Sequence, residues 1–340
     1  MRVWIVIVHH RGEPVLRSCL EALSGARGVE AEVVIVQNGA EEPVSEQLRR
    51  DHDFHLVPLP EGVGFGEANN RGITWACRNL GDADAYFFLN NDTRVEPDAL
   101  ARLVEVLEER PECGIVGPFL LIDGFADHIN SLGLNVTVTA EAWDEGIGQQ
   151  LSEYEGSIRS REVLAITGAA LLIRASCYSD VGGWSEHYGF YQEDIDLCLK
   201  ARSRSWSVRL ETEARVLHQI SASSDGISDF KVLLSWRNRF VLMVSRWPLL
   251  ALLRWVPEYW AREVAVFLKR RSVGAHRDAG LQARSWLGSL KLLPRALWER
   301  RRSGWTTSWW RMMRARGTVP VITLPAKPTE GRRVATEEAV

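Results

Sequence analysis

The sequence predicts an α/β chain, a doubly wound and mostly parallel sheet followed by a helical, basic, Trp-rich region. Three observations lead there. Strand-like and helical apolar patterns alternate through the first 120 residues, the signature of strands joined by crossover helices. The first strand-like run, Val3–Val8, is apolar throughout, as a strand covered on both faces must be. From Val232 onward the pattern turns helical, with Trp and Arg interleaved.

The elements follow in order. Pro14 to Leu23 carries apolar residues at Val15, Leu16, Cys19, Leu20 and Leu23, a helical spacing. Val33–Val36 reads as a second strand ending at Asn38-Gly39, and Phe54–Val57 as a third. Ala68 to Leu80 is helical, and Tyr86–Leu89 is a fourth strand that runs into Asn90-Asn91-Asp92. Pro97 to Arg110 predicts a helix with proline in its first turn. Ile115–Val116 and Phe119–Ile122 resume strand character. A sheet of this kind holds ligands at the carboxyl ends of its strands. Residues 123–160, rich in Gly, Asp, Glu and Ser, read as a variable loop region or lid. Then come a strand over 164–173, a helix over Asp194–Arg202, and short strands at Trp206–Leu210 and Ala214–Leu217. The expected division is 1–230 for the sheet domain, 231–325 for the helical region and 326–340 for a disordered tail.

Composition is that of an ordinary globular protein, 46% apolar and 25% charged. Its five cysteines form no Cys-x-x-Cys pair, which argues against a zinc site or disulfide framework and fits a reducing, cytoplasmic setting. Val3–Val8 is too short for a signal peptide and lacks a cleavage pattern. The net charge of −3 hides an asymmetry. Residues 231–340 hold 22 Lys/Arg against 7 Asp/Glu, and 9 of the 14 Trp, whereas residues 1–230 hold 19 against 37. The acidic part would repel nucleic-acid phosphates. Phe240–Val256 is apolar but interrupted by Arg246, Pro248 and Arg254, short of a membrane span. Two readings stand: an interfacial helix on the anionic inner face of a membrane, or helices packed on the sheet with a basic outer face.

Four motifs carry chemistry. Tyr191-Gln192-Glu193-Asp194-Ile195-Asp196-Leu197-Cys198 puts three carboxylates within four residues beside apolar neighbours. Crowded carboxylates resist burial without a charge partner, a metal or a proton to move; the alternative is a solvated helix start. Gly62, Gly64 and Gly66 alternate ahead of a helix, allowing close backbone approach to an anion or making a plain turn. Asp92, just past a strand, can hold a hard cation that bridges phosphate oxygens or serve as a turn residue. His218 follows another strand, ahead of Ser221, Ser223 and Ser224; by spacing alone such a histidine is more often structural.

Together these pieces resemble the family-2 inverting glycosyltransferases with the GT-A fold, whose sheet has a Rossmann-like nucleotide-binding half, and most of all their rhamnosyltransferase-like branch. The resemblance spans residues 3–245 and keeps the family's order: Ile5–Val8, Val34–Gly39, Gly64–Gly72, Leu89–Thr93, Gly168–Arg174, Val181–Trp184, Tyr191–Cys198, His218 with Ser223-Ser224, and Arg237-Asn238-Arg239. It implies Asp194 as catalytic base with Glu193 its partner, and Asp92 with His218 holding Mg²⁺ or Mn²⁺. Val8, Asn38, Gly64, Phe65, Gly66, Asn69, Asn70, Arg71, Asn90 and Asn91 fall where the donor, a nucleotide diphosphate sugar, is held. The implied acceptor is a glycan or lipid-linked hydroxyl. Asp196 is expected to be structural. The chain departs from the family at Gln37, where an acid is usual, at His9-His10, and in keeping one carboxylate in the metal motif. Two other functions were weighed. A sugar nucleotidyltransferase needs a Gly-rich loop with Arg or Lys after the first strand, and His9-His10-Arg11-Gly12-Glu13 is not one. A catalytically inactive sugar-nucleotide or membrane-surface binding protein would have no use for the retained Asp92 and Glu193-Asp194.

Overall fold

The computed structural model describes residues 1–39, 43–154, 156, 158–219, 229–302 and 308–313. Ser221, Ser223, Ser224 and the expected tail 326–340 lie outside the described residues. The first half alternates as anticipated: β1 Arg2–His9, α1 Glu13–Ser24, β2 Glu30–Asn38, α2 Glu46–Asp51, β3 His55–Leu59, α3 Phe65–Asn79, β4 Ala85–Asn90, β5 Thr93–Val95, α4 Ala99–Glu109 and β6 Cys113–Ile122. There follow β7 Phe125–Ser131, β8 Leu134–Val136, β9 Ala142–Asp144, β10 Arg161–Glu162, β11 Ala170–Arg174, α5 Ala175–Val181, α6 Glu193–Ser203 and β12 Ser207–His218. Three helices follow: α7 Asp229–Arg246, α8 Leu249–Ser272 and α9 His276–Arg302.

The main sheet has the order β10-β12-β6-β11-β4-β1-β2-β3, with β5 added on β12 and β7 on β6. Strands β1 to β4 are parallel, and β11 runs antiparallel between β4 and β6. Alternation along β1 explains its unbroken apolarity. Val3, Ile5 and Ile7 pack toward α1 and α4, while Trp4 and Val6 pack with α3 and α6 residues such as Ala68 and Leu197. Strand order reverses between β1 and β4, so both end at the crevice where such sheets hold ligands.

Several elements differ from expectation, each for a local reason. Residues 123–160 are a built wall rather than a lid: β7 joins β6, β8 pairs with β9, and Ile129, Leu132, Val136 and Ala140 enter the core. The alternation of Leu132, Leu134, Val136, Val138 and Ala140 is a strand-period signal set within an otherwise polar, glycine-rich region. Only Ala170–Arg174 of the run 164–173 is strand, because the Gly168 amide turns to a side chain instead of a neighbouring strand. The two short runs before His218 are one strand with a bulge between Glu211 and Arg215. The helix expected from Pro97 starts at Ala99. The apolar stretch 240–256 is broken at Pro248, between α7 and α8, where proline disfavours helical geometry in the residue before it and suits the start of the next helix; Pro257 and Pro294, by contrast, lie inside α8 and α9. None of the described helices is long and apolar enough to cross a membrane.

The C-terminal helices pack on the sheet domain. Arg246, the last residue of α7, lies with its Nε 2.6 Å from Asp196 Oδ1 on α6, and Trp247 Nε1 donates to Val138 O.

Candidate active site

The sheet register brings the strand-end motifs to one edge. Val8 pairs with Val36 on one side and Asn90 on the other, and His218 pairs with Thr93 through the β5–β12 ladder. That last pairing sets His218 Nε2 3.3 Å from Asp92 Oδ1. His218 Nδ1 lies 2.8 Å from Asn130 Oδ1 on β7. An amide oxygen only accepts, so Nδ1 carries the proton and Nε2 faces Asp92. Two ligands on one small cation, each at about 2.1 Å, stand roughly 3 Å apart. The Asp92–His218 spacing and its O/N donor set fit Mg²⁺ or Mn²⁺. Among the described residues no group of three or more His, Cys, Asp or Glu gathers as a metal cage. Such a cation would therefore take its remaining ligands from substrate and water, as Mg²⁺ commonly does.

On α6, Asp194 and Glu193 divide into different environments. Asp194 Oδ1 accepts from the Ile195 amide at 2.8 Å and Oδ2 from the Gly168 amide at 3.2 Å. Burial raises its carboxyl, and these backbone donors oppose the rise. Glu193 is more deeply buried, and its Oε2 has no hydrogen-bond partner. Burial first, then the charges of Asp194 and Asp196, push it well above the usual carboxylate range. Both carboxyls of the pair are raised, Glu193 by burial with no partner on its Oε2 and Asp194 by burial that two backbone donors oppose. Asp196 behaves oppositely. It is fully buried, yet Arg246, Lys200 and hydrogen bonds from Arg246 and Ser185 outweigh burial and hold it far below its ordinary value. Ser185 donates at 2.7 Å and Tyr188 at 3.0 Å to its two oxygens. Asp196 is structural, as the sequence implied.

The remaining candidates separate into two groups. Gly64 caps α3 against Gly189, where an added Cβ would stand 2.7 Å from the Gly189 Cα; the Phe65 amide donates to Gly189 O at 2.8 Å. Gly66 lies against Trp184, and the Phe65 ring meets the Trp184 ring edge-on. This glycine loop therefore braces the segment that leads into Glu193. The Asn90 amide donates to Ala169 O, and Asn91 Nδ2 reaches His9 Nδ1 at 3.0 Å; both stay at the strand edge. The other group is occupied elsewhere. Asn38 makes a two-way bond with the Val63 backbone, and Asn69 bonds Phe65 O. Asn70 is spent on Trp184, Tyr178 and Glu186, and Arg71 pairs with Glu67 on the exposed face of α3. These bonds fix the shape of the loop.

Two residues escaped the sequence reading. Asp144, at the end of β9, is raised to about 6 by burial, with a hydrogen bond from Ser131 opposing, the Asp194 charge adding and His218 opposing. It is a further acid of this locale, and no motif surrounds it. Asn238 on α7 directs its Nδ2 at three backbone carbonyls, Tyr188 at 2.9 Å and Phe190 and Tyr191 at 2.8 Å. The signal for Asn238 was the Arg237-Asn238-Arg239 element, noted without a role.

The family model described as "Glycosyl transferase family group 2" matches residues 87–325, and "Glycosyl transferase family 2" matches 4–153. The chain belongs to the family-2 glycosyltransferases, with a rhamnosyltransferase-like sequence. It is 27% identical over 239 residues to N-acetylglucosaminyl-diphospho-decaprenol L-rhamnosyltransferase of Mycobacterium tuberculosis, covering 65% of this chain and 76% of that one. Rhamnosyltransferase WbbL of Escherichia coli is 27% identical over 208 residues, 58% of this chain and 76% of its own. Among solved structures, GalNAc-T7 with UDP, GalNAc and Mn²⁺ superposes with TM-score 0.60 at 13% identity, over 76% of this chain and 51% of that chain. The mannosyltransferase PcManGT from Pyrobaculum calidifontis with GDP-Man and Mn²⁺ gives 0.51 at 12% identity, over 86% of each. The fold is GT-A.

Proposed function

We propose that the chain transfers a sugar, rhamnose by the likeness to its relatives, from a nucleotide diphosphate donor to an acceptor hydroxyl with inversion, in cell-envelope or other glycan synthesis. The observation that carries the reading is that Asp92 and His218, far apart in sequence, meet at one strand edge while backbone amides hold the Asp194 carboxyl at the start of α6. In a single displacement the acceptor oxygen bonds to the anomeric carbon as the bond to the diphosphate breaks. Asp194 takes the proton the acceptor loses, and one displacement requires no covalent enzyme intermediate. Asp92 and His218 would hold Mg²⁺ or Mn²⁺, which when bound offsets charge on the departing diphosphate. The Mn²⁺ named with both similar structures supports that assignment.

The proposed division is a catalytic domain over 1–230 and a helical region over 231–325 that also rests on an anionic membrane at its cytoplasmic face. Leu249, Leu250, Leu253, Leu297 and Trp298 are exposed large apolar side chains on α8 and α9. Arg254 stacks on Trp255, and Arg295 and Arg302 on Trp298. Apolar and cationic groups mixed in this way suit a headgroup boundary. A donor screen that reads free nucleoside diphosphate with Mg²⁺ or Mn²⁺ tests the activity; no release from any nucleotide sugar rejects it. Co-sedimentation with anionic liposomes at low salt tests the surface, and its absence removes the membrane from the proposal.

A further inference from the structure

The loop that leads into Glu193 leaves two aromatic rings in solvent. Phe190 and Tyr191 are 39% and 41% exposed, and Phe230, in the first turn of α7, is 61% exposed. Phe190 and Phe230 meet edge-on with centroids 6.4 Å apart. One exposed apolar residue needs no explanation, but three neighbouring aromatics beside a pair of buried carboxyls do. The backbone that presents them is strained. Tyr191 and Gln192 have φ of 72° and 74°, a region that costs side-chain-bearing residues energy and persists only where surroundings enforce it. Here the enforcement is explicit: Asn238 bonds the carbonyls of Tyr188, Phe190 and Tyr191, and Arg237 bonds those of His187 and Tyr188. Packing gains nothing from rings held in water, so the strain serves something outside the chain.

A second observation gives that partner its chemistry. Gln192 Oε1 and Glu193 Oε2 are buried and have no hydrogen-bond partner, although each residue is only 8% exposed. Buried acceptors left empty are costly unless a ligand supplies donors. Exposed aromatic rings next to unfilled oxygen acceptors suit a sugar ring. Its C–H face carries weak positive charge that suits an aromatic face, and its hydroxyls donate to amide and carboxyl oxygens.

We propose that Phe190, Tyr191 and Phe230 are the platform on which the acceptor's sugar ring stacks, with Gln192 and Glu193 accepting from its hydroxyls. Tyr191 and Gln192 run directly into Glu193 and Asp194 in the chain, so a ring held on this turn lies next to the segment that carries the proposed base. This rests on the glycosyltransfer reading, and the test keeps the two apart.

The full chain is examined by saturation-transfer NMR against methyl and octyl glycosides of hexoses and N-acetylhexosamines, with Mn²⁺ and a nucleoside diphosphate present. Nucleoside diphosphate binding is followed separately by calorimetry. Saturation is expected on ring C–H protons of at least one glycoside, weakened about fivefold in Tyr191→Ala and in Phe230→Ala, the worth of one aromatic contact. Tyr191→Phe keeps the signal, and all three variants bind nucleoside diphosphate as the parent does. No ring signal in the parent overturns the platform. So does a signal that both alanine variants leave unchanged, or one confined to the octyl chain, which would mark a lipid-binding patch. Absence of nucleoside diphosphate binding in the parent overturns the donor reading instead, while the ring signal and its loss in the variants still decide the platform.

Discussion

The acidic sheet domain and the basic C-terminal helices handle charge by different means. Around β1, β4 and the start of α6, backbone amides do the holding: Gly168 and Ile195 donate to Asp194, and the glycine loop meets Gly189 backbone to backbone. In α7, long cations reach across into the other region. Arg246 pairs with the buried Asp196, and Arg239 pairs with Glu141 at 2.9 Å. A charge asymmetry that reads as a call for an outside anion is therefore satisfied in part inside the molecule. Among the described residues, the outer faces of α8 and α9 keep cations such as Arg254, Arg271 and Arg295 in solvent.

That contrast can be broken from either side. The largest effect is expected on the sheet side: Asp194→Asn should retain donor binding and lose about 10²–10⁴-fold in kcat, the worth of a positioned base. Near-normal turnover would remove Asp194 from the role. Because its carboxyl is raised by burial, kcat/KM should fall with decreasing pH through a value above the ordinary carboxylate's roughly 4. An acid limb below that refutes the assignment.

On the helical side, Arg246→Met should cost about 3–5 kcal/mol in urea unfolding, since it strands a buried carboxylate. The double variant with Asp196→Asn should recover much of the loss by removing that charge. The sign with pH follows from Asp196 being held low. Its stabilisation is complete above the unfolded value near 4 and is lost as pH falls through the depressed folded value. The parent should therefore lose stability in acid more steeply than the double variant, and parallel acid curves would contradict this.

Asn238→Ala should lower kcat about 10- to 100-fold, the cost of misplacing a reacting group, with donor affinity little changed. Asn238→Asp should fare no better, because a carboxylate cannot donate to three carbonyls. Full activity in the aspartate variant would show that the loop holds itself. The smallest effect is expected at Asn130→Ala, which should weaken Mn²⁺-dependent nucleotide binding about tenfold, as loss of a histidine's orienting partner does. Calorimetry showing equal affinity with and without Mn²⁺ in the parent would remove the metal from the proposal.

Legibility followed periodicity and motif. The first strands and helices were readable because β1, β2 and β4 are covered on both sides, so burial wrote itself as continuous apolar runs. Asp92, Glu193 and Asp194 were readable because carboxylates beside apolar sequence are conspicuous. Asp144 was not, since β9 has three residues, one of them charged, and its position depends on the β8 pairing. Asn38, Asn69, Asn70 and Arg71 were visible as a motif, but their bonds to Val63, Phe65, Trp184 and Glu67 were not.

By itself the sequence determined the alternating sheet, the order of its motifs, the family and the break between an acidic and a basic part. These are local or one-dimensional properties, set by side-chain period and residue type. The tertiary structure alone decided that Asp92 meets His218, that backbone amides hold Asp194 while Glu193 Oε2 is left without a partner, and that α7 locks the strained Tyr191–Gln192 turn. Each depends on burial and on partners supplied by distant strands and helices, and neither periodicity nor composition records which distant groups will meet.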